Sequence, residues 1–216
     1  YLGVQEITFP TITKPNYQLL KYNGNHGDIL PDETITVQGD LHYTAVWQSN
    51  VYTILLDSES ANQKGTQSIY LKYNEGYYLD ENAEQPLQQI ILPKKEGQTF
   101  KGYYTLVEGH EILVINDNGQ LESYMHNTYF DGNATLLAKF EINNYTITLI
   151  ASEYGAIIAR SELVVEHGGS FDFSVILKEE YSSSYANLLN ILQHHYSTIE
   201  KISGENQTAV YSIKNI

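Results

Sequence analysis

Seven histidines, 26 carboxylates and 19 tyrosines are the side chains in these 216 residues from which chemistry could be assembled. The histidines form no HExxH stretch and no spaced cluster, so their pattern does not support a zinc hydrolase. His194 and His195 are neighbours, and neighbouring helical positions point about 100° apart and do not chelate together. Asn116-Asp117-Asn118-Gly119 with Glu122 offers oxygen ligands at close spacing, as a calcium loop would. It lacks the full ligand series, however, and Asn-Gly is first of all a hairpin signal. Glu179-Glu180 is expected on a strand, where the two carboxylates alternate faces and point to solvent rather than act as a glycosidase pair. Serine has no Gly-x-Ser-x-Gly elbow, and Gly168-Gly169 lacks the lysine and helix start of a phosphate loop. With no cysteine in the chain, disulfides, thiolate metal sites and cysteine nucleophiles are excluded. The expectation is therefore a non-enzymatic chain with no metal and no cofactor.

The tyrosines leave a binding chemistry open. In Tyr77-Tyr78 and Tyr103-Tyr104, strand geometry sends one ring of each pair to the core and the other to solvent. An exposed ring could stack on a sugar or anchor a protein partner, which makes Tyr77, Tyr78 and Tyr104 the candidate binding residues. Cross-strand packing on a small sheet is the competing reading. An intramolecular Lys–Asn crosslink, as in some bacterial stalk proteins, needs a buried lysine, an asparagine and an acid together, and the sequence does not place them.

The elements that position these rings read as strands. Tyr, Ile, Val and Thr suit a pleated, half-buried surface, and the chain contains 19 Tyr but a single Met. Two internal correspondences divide the sequence. Thr13–Tyr22 lies on Lys94–Tyr103, with Asn16 and Gly97 sharing a turn position that tolerates left-handed backbone. His42–Trp47 lies on Thr135–Phe140, and the second copy carries about a dozen extra residues between the two matches, expected in a loop. Val51–Leu56 and Tyr145–Ile150 open new strands almost at once, so the boundaries fall at Gln48–Asn50 and Glu141–Asn144. These junctions are too short to be flexible linkers, and a semi-rigid rod is expected.

Three units follow: 1–49, the tail of a truncated repeat; 50–142, a complete one; and 143–216, a divergent one. Their net charges of −3, −7 and −4 make acidity a property of every unit. Such a surface repels nucleic acid and anionic lipid, and no apolar run approaches the ~18 residues of a membrane span. The abrupt start at Tyr1 and the strand-like end at Ile216 suggest a monomeric piece of a longer protein. Within the units, Gln67–Tyr73 reads as a strand before an Asn74-Glu75-Gly76 turn. Asp80–Gln89 reads as an irregular connection or a short capped helix, and Val164–Val175 as strand, Gly-Gly turn, strand. Ser184–Ile199 places Tyr185, Leu188, Leu189, Leu192, Tyr196 and Ile199 at helical spacing, the best helix candidate. Trp47, Phe100, Tyr103 and Phe140 are the expected core anchors, with Trp47→Ala expected to cost ~3 kcal/mol or more if that ring is buried.

The ordered motifs of the middle unit resemble a known family. Ser68-Ile69-Tyr70-Leu71-Lys72-Tyr73-Asn74-Glu75-Gly76-Tyr77-Tyr78, then Ile91-Leu92-Pro93, Thr99–Thr105, Ile115–Leu121 and Ala134–Phe140 look like the Listeria–Bacteroides repeat, also called the internalin-type B repeat. Residues 10–48 look like the second half of another copy. Residues 143–216 are similar to a related bacterial surface repeat through Tyr145-Thr146-Ile147, Gly168-Gly169-Ser170 and Tyr211–Ile216. Gln98 departs from the frequent aromatic after Gly97, so no required ligand contact is carried to that position.

The resemblance implies a mainly β (α+β) fold of tandem small β-grasp-like domains in an elongated arrangement, on a secreted or wall-attached bacterial protein. It implies a stalk and adhesion module that contacts a host or matrix protein or glycan and has no catalytic residues. A carbohydrate-binding accessory module of a secreted enzyme is the alternative, and it requires coplanar exposed tyrosines on one face.

Overall fold

A computed structural model describes residues 5–58, 61–127, 130–195 and 198–216. The protein is mainly β, as its tyrosine- and β-branched-rich composition demands. The chain divides into two compact units, Tyr1–Lys94 with Phe100–Lys139, and Lys95–Thr99 with Phe140–Ile216. Residues 1–49 thus fall into one compact unit with most of 50–142.

The first unit begins with β1 (Glu6–Thr8), β2 (Tyr17–Gly24), β3 (Gly27–Ile29), β4 (Thr34–Thr36) and β5 (Tyr43–Ser49). It continues through β6 (Val51–Asp57), β7 (Ser68–Lys72), β8 (Gly76–Tyr78), β9 (Gln98–Val107), β10 (His110–Ile115) and β11 (Ala134–Ile142), the ends of β9 and β11 reaching into the second unit. Strands β1 and β4 form a ribbon, and a three-stranded sheet runs β3-β2-β5 over a small core of Phe9, Tyr22 and Ile29. A six-stranded sheet has the order β10-β9-β11-β6-β7-β8. Its two middle strands, β11 and β6, are parallel, with Ala134 beside Ile54 and Leu137 beside Asp57. The hairpins β6-β7 and β9-β10 flank that pair and are antiparallel.

Alternation along these strands sends one set of side chains inward: Ile54, Ile69, Leu71, Tyr103, Ile115 and Leu136 are fully buried. Ile90, Pro93 and Met125, which lie in the connections between strands, are also buried. Asp80–Gln89 is one such irregular connection. The Asp80 carboxylate accepts backbone N–H bonds from Asn82, Glu84 and Gln85, which hold its pKa below the usual carboxylate value.

In the second unit β12 (Asn144–Thr146) pairs with β14 (Val164–Glu166). A four-stranded sheet has the order β13 (Gly155–Ala159), β15 (Ser170–Leu177), β17 (Val210–Lys214) and β16 (Ile199–Ser203). Its core gathers Val165, Phe171, Phe173, Leu188, Ile199 and Tyr211. Ser174 is fully buried but satisfied, donating to the Ala209 carbonyl at 2.7 Å and accepting from Arg160 Nε at 3.0 Å.

Four local expectations are corrected here. Gly168-Gly169 does turn the chain, with Gly168 at φ 79°, but the strands on either side enter different sheets and form no hairpin. Glu179-Glu180 lies in a 3-10 helix, Glu179–Asn187, rather than on a strand, because the strand ends where the Leu177 N–H donates to the Tyr185 hydroxyl at 2.8 Å. The α-helix proper, α1 (Leu188–His195), is half the expected length, and Ile199 is drawn into β16 by pairing with Ile213. Tyr196 lies outside the described residues. Phe100 and Tyr103 are buried anchors, whereas Trp47 and Phe140 are only half-buried.

Candidate functional site: the open face and the repeated junction

The outward positions of the six-stranded sheet form a continuous face. Tyr104 and Leu106 on β9 stand opposite Leu113 and Glu111 on β10. On the parallel pair, Thr135 stands beside Leu55 and Leu137 beside Asp57. Toward the other edge, Thr53, Tyr70 and Tyr78 follow in register. Leu106 is 64% exposed, and Leu55 and Leu137 are 51% exposed each, so three large apolar side chains of this face lie in water. Tyr104, Leu106, Glu111, Leu137 and Lys139 line a shallow depression of about 470 Å³. Within it Lys139 ion-pairs with Glu111 and places its ammonium 4.8 Å from the centre of the Tyr104 ring.

The three candidate tyrosines separate on this geometry. Tyr77 is 6% exposed and packs in the core, which removes it from the binding set. Tyr78 and Tyr104 share the outward face, but four strand spacings divide them, roughly 19 Å. One face of the Tyr104 ring is also taken by Lys139. No sugar-stacking platform is assembled from these three residues. Sequence reasoning did not single out Leu55, Leu106, Leu137 and Lys139, although their alternation with buried partners could have marked them.

The other candidates resolve simply. Asn116 uses its own Oδ1 to accept the Asn118 and Gln120 N–H groups, and Gly119 adopts φ 81°, so the segment is a side-chain-locked hairpin turn. His194 is exposed, and the side chain of His195 lies outside the described residues. Every lysine is at least partly exposed, which removes the buried lysine that a Lys–Asn crosslink needs. Among the described residues no three His, Asp or Glu side chains gather as metal ligands.

The two aligned segments share one local structure. Asn16 and Gly97 both adopt φ 65°. In the first unit the Asn50 N–H donates to the Asn16 carbonyl at 3.0 Å, and the Tyr73 N–H donates to the Asn50 carbonyl at 3.0 Å. In the second unit Asn143 bonds in the same way to Gly97 at 2.9 Å and His167 at 2.8 Å. Lys14 lies over Tyr17 and Trp47, and Lys95 lies over Phe140. Tyr17 packs edge-on against Tyr73, and Tyr145 packs edge-on against His167. One turn-and-clasp therefore occurs twice.

No family model matches the chain, and no solved structure matches it. Two curated relatives come from Evansella cellulosilytica. One, named "Putative Gly-rich membrane protein", is 27% identical over 149 residues, covering 64% of this chain and 15% of the relative. The other, named "Putative membrane protein", is 24% identical over 197 residues, covering 80% of this chain and 26% of the relative. The chain thus spans about a quarter or less of the relatives it matches. Among the described residues no helix is long and apolar enough to cross a membrane.

Proposed function

We propose that the chain is a non-enzymatic repeat region of a bacterial protein displayed outside the cell, where it spaces other parts of that protein and contacts a protein partner. The open face of the six-stranded sheet carries this reading. Three exposed leucines, flanked by the Tyr104–Lys139–Glu111 cluster, have the apolar centre and charged rim of a protein-binding patch. The recurrence of the Asn16–Asn50 and Gly97–Asn143 clasps supports a series of related modules joined without linkers. The central parallel pair with an antiparallel hairpin on each side supports the β-grasp-like reading of the middle module and its Listeria–Bacteroides resemblance. A net charge of −14 favours a partner with a basic surface.

The carbohydrate-binding alternative is weakened by the burial of Tyr77 and the separation of Tyr78 from Tyr104. The test is binding of the purified chain to immobilised extracellular-matrix and host-surface proteins, alongside a glycan array. The reading expects saturable binding to a protein that falls at least tenfold in the double variant Leu106→Lys, Leu137→Lys, about 1.4 kcal/mol or more. Glycan binding that survives this variant and is lost in Tyr78→Ala would overturn it.

A further inference from the structure

The second unit holds an apolar cavity of about 240 Å³. Every strand of the four-stranded sheet contributes to its floor: Ile157 from β13, Phe171 and Phe173 from β15, Ile213 from β17 and Ile199 from β16. Strand pairing sets Phe171 beside Ile213 and Ile213 beside Ile199, and Phe173 follows Phe171 on the same face at a period of two. The walls are Leu192 of α1 and the segment that follows β12, through Ile147 and Leu149. Phe171, Phe173 and Ile199 are at most 3% exposed, so the floor is core. Ile157 and Thr148 are exposed, which places the mouth of the cavity beside them.

The lining selects a chemistry. Eight of its nine side chains are hydrocarbon, the ninth is Thr148 with one hydroxyl, and none is charged. Water in such a space finds few hydrogen-bond partners, and a charged ligand would lose its hydration without compensation. A hydrocarbon group gains by leaving water for these walls. Size narrows the choice to one ring, because a cavity of about 150 Å³ already admits benzene and the larger volume here leaves room for a short alkyl arm. The Phe171 and Phe173 rings lie 6.0 Å apart and 9° from parallel, and their faces and edges suit packing against a further aromatic ring.

We propose that this cavity binds a neutral single-ring aromatic molecule with a short alkyl substituent. The site lies wholly within the second unit and goes beyond the protein-binding reading of the first. It differs in chemistry from the charged depression around Tyr104, Glu111 and Lys139, and either can fail without the other.

The test is a titration of the whole chain with toluene, followed by NMR of isoleucine and leucine methyl groups. Saturable shifts are expected at Ile147, Leu149, Ile157 and Leu192, with a dissociation constant of about 1 mM or tighter and no response at Ile54 or Leu136 of the first unit. Benzylammonium, which a chain of net charge −14 attracts, should nonetheless bind at least tenfold more weakly. Ile157→Phe, which fills space at the mouth, should weaken toluene binding at least tenfold. Leu149→Phe should do the same from the wall, and it serves if the first variant disturbs the fold. No saturable shift up to about 5 mM toluene, equal binding of benzylammonium, or shifts spread through the cores of both units would overturn the proposal. So would unaltered toluene binding in the folded phenylalanine variants.

Discussion

Gly97 and Asn16 occupy one left-handed turn position, yet a side chain is tolerated at only one of them. A Cβ at Gly97 would lie 1.7 Å from the nearest atom of the His167 ring, so the ring must leave its place against the turn. Gly97→Ala also takes a residue with a Cβ to φ 65°, and it should destabilise the second unit by about 1–2 kcal/mol. Thermal unfolding, with His167 signals followed by NMR, measures both effects. Trp47, expected from sequence as a core anchor, is half-buried with the Lys14 ammonium 5.9 Å from its ring centre. Trp47→Ala should accordingly cost about 1.5 kcal/mol in urea unfolding, roughly half the figure for a buried ring. The shared turn was legible because Asn and Gly mark left-handed backbone locally. The degree of burial was not, since it depends on neighbours distant in sequence.

At the scale of elements, β11 shows how alternation separates fold from function. Leu136 is fully buried and Leu137 is 51% exposed. Leu136→Ala should lose about 3 kcal/mol of stability, whereas Leu137→Ala should change it by less than about 0.5 kcal/mol while still weakening partner binding. Urea unfolding of both variants against the parent checks the pair. The existence of these strands was readable from their period of two. Their neighbours were not: β11 lies beside β6, about 80 residues earlier, and nothing local in either strand specifies a parallel partner. The same reason takes Ile199 out of the helix, because its pairing with Ile213 outweighs the helical spacing that includes it.

For the whole molecule, charge and tyrosine set the response to pH. Burial raises the phenol pKa of Tyr103 in one unit and Tyr211 in the other. The folded chain holds these protons to higher pH than the unfolded chain, so above about pH 10 the unfolded state binds fewer protons. Stability is intact below that pH and falls as pH rises beyond it. Tyrosinate absorbance should show at least two tyrosines that ionise only together with unfolding; smooth titration of all 19 before any loss of structure would contradict this. The sequence by itself determined the mainly β class, the internal correspondence, the turns and the acidic surface, because each is written in local residue type and period. Only the tertiary structure decided which tyrosines are buried and which leucines face water. Those properties belong to pairings between segments far apart in the chain, where register and coverage, rather than residue type, fix what a side chain meets.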